Sequence, residues 1–252
     1  MSIKTKPTFF ELARQMLSST ERGYDLLAPK FDACVAKAPR GRLSLALSLR
    51  TPDWILDRVM PHIGAERSLQ SAIDLCCGTG VVMERLLPLC RHRVIGMDQS
   101  DGMLSEAEKR LRSLRGNAAA VLMRQDVLDL HFNEAFDVAT WFGGTGHVLP
   151  EDQPRFVSAV YRALKPGGKF FFDACYPPRF WQAAFWALHA FDGAMRVRNA
   201  LWKPPFIMYY GAFPIPRAVE VLRHAGFEVE LRDLGIRKLG RATRLVIATR
   251  PK

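Results

Sequence analysis

Cysteine is scarce and poorly placed for covalent staples. The five residues, Cys34, Cys76, Cys77, Cys90 and Cys175, are odd in number and show no C-x-x-C spacing. That argues against a disulfide framework and a structural zinc site, and no metal is expected. Reduced, mostly buried thiols in a cytoplasmic protein are the expectation. No run of about 18 apolar residues occurs, so no transmembrane helix is expected. The first residues, MSIKTKPTFFELARQ, lack the apolar core and small-residue cleavage site of a secretion signal. The Gly-Lys-Ser/Thr signature of nucleoside triphosphatases is missing too.

Acidic residues are outnumbered by basic ones, 25 to 36, for a net charge of +11. The deficit is uneven. Residues 1–67 carry 11 Lys/Arg and 7 Asp/Glu, residues 68–174 carry 12 and 13, and residues 175–252 carry 13 and 5. Basic flanks around a neutral middle fit a solvated surface, or attraction to nucleic acid, an anionic membrane or an acidic substrate. With 252 residues, 48% of them hydrophobic, the chain can bury one large core without a metal or disulfide.

Three regions follow from periodicity. Residues 1–67 read as an amphipathic helical cap, with Pro29 breaking the segment 24–38 and Pro52 breaking 43–60. From residue 71, short apolar runs alternate with helical patterns: strands at 71–76, 93–98, 118–126, 135–142 and 169–174, helices at 81–90, 101–114 and 152–165. That alternation predicts an α/β fold, a doubly wound parallel sheet covered on both faces. Residues 175–213 form an aromatic, arginine-rich insertion read as a helical lid within a main domain of 68–252. A helix at 215–227 and two consecutive strands at 228–235 and 243–250 suggest an antiparallel pair at the sheet edge.

Five blocks carry the chemistry. AIDLCCGTGVV (72–82) joins a strand to a helix through a glycine turn at Gly78 and Gly80, where backbone can approach a ligand closely. Asp74 beside it would repel a phosphate and suit a cationic, amine-bearing ligand. VIGMDQSDGML (94–104) ends a strand at Asp98, where an acid can accept hydrogen bonds from a ribose or cap a turn. RQDVLDL (124–130) places Asp126 at the end of the third strand, where it could meet an adenine amino group. FDVATWFGGTGHV (136–148) ends a fourth strand in a second glycine-rich turn, and YRALKPGGKFFFD (161–173) is a helix, turn and hydrophobic strand.

In this order and spacing the blocks resemble the class I S-adenosylmethionine-dependent methyltransferases, strongly over residues 70–175. YDLLAPKFD (24–32) and HAGFEVELRDLG (224–235) are similar to segments of the ubiquinone/menaquinone-biosynthesis-like members. The resemblance implies a Rossmann-like, mostly parallel seven-stranded sheet with an antiparallel C-terminal edge strand. It implies S-adenosylmethionine as cofactor and S-adenosylhomocysteine as product. Asp74, with the Gly78, Thr79 and Gly80 turn, would hold the methionine moiety. Asp98 would accept the ribose hydroxyls, Met103 would pack on the adenine, and Asp126 and Val127 would meet its edge, with Cys76 and Gln99 also counted among the cofactor-binding residues. Trp141, Phe142 and Gly143 would pass beside the cofactor, and Tyr24 would close over it. Cys76 stands where the family's first glycine is usual, a small replacement; a nucleophilic role for it finds no adjacent base in the sequence.

The sulfonium methyl is already activated, so alignment and exclusion of water come first, and a general base is needed only if the acceptor must lose a proton. His147 is the candidate base, set against a structural or capping histidine; Asp173 is a second candidate. Trp181, Phe185, Trp202, Phe206, Tyr209 and Tyr210 are the candidate acceptor-binding residues. They point to a small hydrophobic acceptor of quinone, lipid or polyketide type, and leave open a peripheral contact with a membrane. Competing readings are an RNA methyltransferase, which the charge would suit but for which no N/D-P-P-Y/F motif follows the fourth strand, and a non-catalytic cofactor-binding scaffold. Asp98→Ala is expected to abolish cofactor binding without unfolding the chain. Deletion of 178–210 is expected to remove acceptor recognition only. Neither the acceptor atom nor the oligomeric state is legible.

Overall fold

The computed structural model describes residues 18–36, 53–65, 69–112, 114, 118–203, 207–209, 211, 213–238 and 241–252. In chain order the elements are α1 (Thr20–Ala36), α2 (Asp53–Gly64), β1 (Leu69–Leu75), α3 (Val81–Leu86), β2 (Cys90–Asp98), α4 (Asp101–Leu111) and β3 (Ala119–Arg124). They continue with β4 (Phe136–Thr140), α5 (Gln153–Ala163), β5 (Leu164–Cys175), α6 (Ala183–Leu201), α7 (Ile215–His224), β6 (Glu228–Lys238) and β7 (Arg241–Thr249).

The seven strands form one sheet in the order β3-β2-β1-β4-β5-β7-β6. The first five are parallel. β7 runs antiparallel to both β5 and β6, so the two consecutive C-terminal strands pair at the sheet edge with β7 inserted inside β6.

Period-two alternation sorts the core onto two faces. Ile73, Leu75, Ile95, Phe170 and Phe172 pack on one side with Phe156 of α5 and Leu222 of α7. Ala72, Val94, Val138 and Phe171 face the other side, with Ile55 of α2 and Met83 of α3. The strand order reverses between β1 and β4, which opens a gap at the carboxyl ends of these strands where open α/β sheets bind ligands.

Pro29 does not break the first helix. α1 runs through it from Thr20 to Ala36. A proline removes one N–H, here the donor to the Asp25 carbonyl. Tertiary packing compensates: Ala28 and Phe31 are buried against Met103 of α4. α2 likewise runs past Pro61, because Ile63 is fully buried and draws the last turn inward. Pro52 lies outside the described residues.

Candidate active site

A crevice of about 380 Å³ opens at the carboxyl ends of β1, β2 and β4, within the size range of small-molecule sites. Asp74, Asp98 and Asp126 all line it. So do Tyr24, Cys76, Gly78, Thr79, Gln99, Met103, Val127, Phe142, Gly143 and His147.

Sheet register explains Asp74. It lies opposite Thr140 across β1 and β4, and the Thr140 hydroxyl donates a 2.7 Å hydrogen bond to Oδ1. Its Oδ2 is buried with no protein partner. Burial pushes this carboxyl up to about 7, against the Thr140 hydrogen bond, and the nearby Asp98 charge adds to the rise.

Asp98 is both a turn residue and a wall of the crevice. Its Oδ1 accepts from the Ser100 N–H at 3.0 Å, and its Oδ2 from the Gly78 N–H at 2.9 Å. The second bond ties the glycine turn to the end of β2. Enclosure raises its pKa, against these backbone donors. Asp126 caps a short 3-10 turn by accepting from the Leu128 N–H at 2.9 Å.

The two glycines of the turn differ in purpose. Gly78 has φ +53, and a Cβ added to it would meet nothing within 4 Å, so its bare backbone faces open space. Gly80 has φ +78, but its Cβ would lie 3.1 Å from the Cβ of Ala107. Gly80 thus permits α3 and α4 to pack closely and does not line the crevice. Cys76 occupies its position at φ 56. Burial, with the Asp98 charge, raises its thiol well above the ordinary range, which favours the protonated form and counts against a nucleophilic role.

Trp141 does not reach the crevice either. It is fully buried on the opposite sheet face against Phe156, Phe170, Phe172 and Phe213. Its backbone N–H donates to the Phe171 carbonyl, so it extends the strand alternation and shares the parity of Ala139. Asp173 is buried and is not among the lining residues. Trp181 and Trp202 are exposed and Phe185 is half-buried, all away from the crevice. Tyr209 is buried under Arg196, its hydroxyl accepting from Asn199 at 2.9 Å. Phe206 and Tyr210 lie outside the described residues. Among the described residues of this segment, Ile207 lines the crevice.

A hydrogen-bonded ring closes the crevice. The His147 Nδ1–H donates to the Ile207 carbonyl at 2.7 Å. That fixes the tautomer, leaving Nε2 to accept from the Tyr24 hydroxyl at 3.0 Å. The Ile207 N–H donates to the Thr20 hydroxyl at 2.7 Å. Burial lowers the His147 pKa, while the Ile207 carbonyl and the Asp98 charge act the other way.

Two acids of the YDLLAPKFD segment hold this roof down, and sequence reasoning assigned them nothing. Asp25 Oδ1 accepts from the Ser100 hydroxyl at 2.6 Å and from the Gly102 N–H at 2.9 Å. Asp32 accepts from the Thr79 hydroxyl at 2.8 Å and pairs with Arg110, which also binds Glu84 and the Thr79 carbonyl. The motif contained the signal, but its partners are 47 to 78 residues away.

This fold and crevice define a class: doubly wound proteins that bind a nucleoside-bearing, positively charged cofactor. Three observations fit the residues to such a group. The unpartnered Oδ2 of Asp74 calls for a cation, because a buried acceptor without a donor is costly. Open space stands where a Gly78 side chain would be. Apolar walls, Met103 and Val127 among them, adjoin the acids.

Comparison with known proteins agrees. A methyltransferase domain family matches residues 72–168. A 2-phytyl-1,4-naphtoquinone methyltransferase of Nostoc punctiforme is 32% identical over 174 residues, 66% of this chain and 75% of that protein. A demethylmenaquinone methyltransferase of Lactobacillus johnsonii is 34% identical over 104 residues, but the match spans only 41% of it. Among solved structures, a Clostridium acetobutylicum S-adenosylmethionine-dependent methyltransferase shares the fold with a TM-score of 0.59 at 18% identity, covering 91% of this chain and all of that one. The chain belongs to the class I S-adenosylmethionine-dependent methyltransferases, and its cofactor is S-adenosylmethionine.

Proposed function

We propose that the protein methylates a small, hydrophobic, quinone-like acceptor. The observation that carries this reading is the likeness to the Nostoc naphtoquinone enzyme over three quarters of that protein's length. The crevice supports it: Tyr24, Phe31, Leu56, Val81, Phe142 and Ile207 contribute apolar surface to its lining. A lipophilic acceptor of this kind partitions into bilayers, so a peripheral membrane contact is part of the proposal.

The residues divide the task. Asp74 and the Gly78 backbone hold the amino-acid end of the cofactor, Asp98 and Gln99 the ribose, Asp126, Val127 and Met103 the adenine. When bound, the cofactor supplies an electrophilic methyl group on a sulfonium. Tyr24 and His147 handle the proton that the acceptor gives up. The Tyr24 oxygen takes it as His147 Nε2 takes the phenolic proton, and the nearby Asp98 charge favours the imidazolium that results. Enclosure of the imidazole favours its neutral form beforehand.

The test is transfer of a labelled methyl from S-adenosylmethionine to a panel of reduced, demethylated naphthoquinols, benzoquinols and bulk RNA. Incorporation into a quinol is expected. Incorporation into RNA alone, or cofactor binding with no turnover on any acceptor, would overturn the reading. Tyr24→Phe and His147→Gln are each expected to lower kcat by roughly 10²–10⁴ fold, the usual worth of a positioned proton acceptor, with cofactor affinity little changed. Full turnover in both variants would remove the proton relay.

A further inference from the structure

α6 is a surface helix with its apolar side outward. Only Leu188 among its 19 residues is buried. At helical spacing, Ala183, Trp186, Ala187, Ala190, Ala194, Val197 and Leu201 make one continuous stripe, and all are exposed. Trp186 and Leu201 each keep 66% of their surface. The stripe contains no charged residue. Phe180 and Trp181 extend it at one end and Trp202 at the other, exposed by 67, 62 and 59%. An uninterrupted apolar surface of this kind on a folded chain marks a contact site.

The surrounding charges select the partner. Arg179 and Lys203 are exposed at the two ends of the stripe, next to Trp181 and Trp202. Residues 176–203 hold a single acid, Asp192, and residues 175–252 carry 13 basic residues against 5 acidic. A second copy of the chain would set these cations against one another. An anionic lipid surface would neutralise them, while tryptophan rings settle at the headgroup boundary, as in helices that lie in a membrane interface. No helix among the described residues is long and apolar enough to cross a bilayer.

We infer that α6 docks the protein onto an anionic lipid surface, an inference that deepens the proposal of a membrane-borne acceptor. Its C-terminal end reaches the roof of the crevice: Arg198 donates to the Ser18 carbonyl at 2.8 Å and Asn199 to the Tyr209 hydroxyl. Six residues beyond the helix, Ile207 lines the crevice. Docking on α6 therefore brings the mouth of the site to the lipid that holds the acceptor.

The test is sedimentation of the full chain with vesicles of phosphatidylcholine alone and of phosphatidylcholine with phosphatidylglycerol. Binding is expected to the anionic vesicles, to weaken at least tenfold in high salt, and to fall by about tenfold or more in the triple variant Trp186→Ser, Val197→Ser, Leu201→Ser. Because these side chains are exposed, the variant should keep its fold and its turnover with a short-chain, water-soluble quinol. Equal binding of wild type and variant, or salt-independent binding to neutral vesicles, would overturn the inference. So would self-association of the wild type that the variant loses, with no vesicle binding. Turnover with the soluble quinol is scored separately, so a failure of docking and a failure of the acceptor assignment give different results.

Discussion

At the scale of single residues, the site is organised around acids whose charges are costly until something cationic arrives. Asp74 ordinarily titrates at 3.8 and is raised to about 7 when folded. Between these values the folded chain binds more protons than the unfolded one. The stabilising contribution is therefore complete below 3.8 and is lost as pH rises through about 7. Asp74→Asn should remove that part of the pH dependence from thermal melts of the cofactor-free protein. A cationic cofactor should also draw a proton off Asp74, so calorimetry below pH 7 in buffers of different ionisation heat should show net proton release. Binding with no proton release would mean that Asp74 is not the cation's partner. His147 has the opposite sign: its lowered pKa gives stability that is present above 6.5 and declines as pH falls through the folded value. The acid limb of kcat should accordingly lie below 6.5, the ordinary histidine value.

Asp98 is a second case in which structure sharpens the sequence expectation. Its carboxylate receives the Gly78 and Ser100 N–H groups. Asp98→Ala should thus weaken cofactor binding by about tenfold to a hundredfold or more, and also cost about 1–3 kcal/mol of stability by stripping those donors. Calorimetric titration and urea melts separate the two effects. Unchanged affinity would show that the ribose is held elsewhere.

At the scale of elements, the central strands were legible because each is a short, nearly continuous apolar run with a glycine or acid close to its end. The two faces of β5, Phe170 and Phe172 against Phe171, follow directly from alternation. The same parity places Trp141 with the core, a count available in the sequence but outweighed by its position in the glycine-rich block. What periodicity could not show is α1 running through Pro29, since the contacts that sustain it come from α4. Nor could it show Asp25 and Asp32 as anchors. Asp25→Ala should loosen the roof, raise the cofactor KM by about tenfold for two lost hydrogen bonds, and expose α1 to proteolysis. An unchanged KM with unchanged cleavage would make the contact ornamental. In the glycine turn, Gly80→Ala must hold φ +78 and press on Ala107. It should cost about 1–3 kcal/mol of stability in urea melts, from backbone strain and overpacking.

At the scale of the whole molecule, the cap, the sheet and the 207–209 segment meet around one cavity, so ligand and fold are coupled. Cofactor at a hundred times its Kd should stabilise the chain by about 2.7 kcal/mol, a rise in Tm of roughly 5–10 °C at this size. The deletion of 178–210 now carries a different expectation from the one the sequence suggested. It removes Ile207, whose two backbone bonds hold Thr20 and His147, so it should weaken cofactor binding as well as acceptor recognition. Removing the apolar stripe of α6 by substitution should spare both.

The pairing of Asp74 with Thr140 has a consequence for how the sheet is assembled. A chain that zipped β4 against β1 one step out of phase would set Ala139 or Trp141 opposite the acid. The Thr140 hydroxyl that donates to it would then be gone, and the hydrophobic residues of β4 would be turned to the wrong sides of the sheet. Misaligned β4 is therefore penalised by the same group that prepares the site for its ligand, and the protein's chemistry doubles as a proofreader of its own topology.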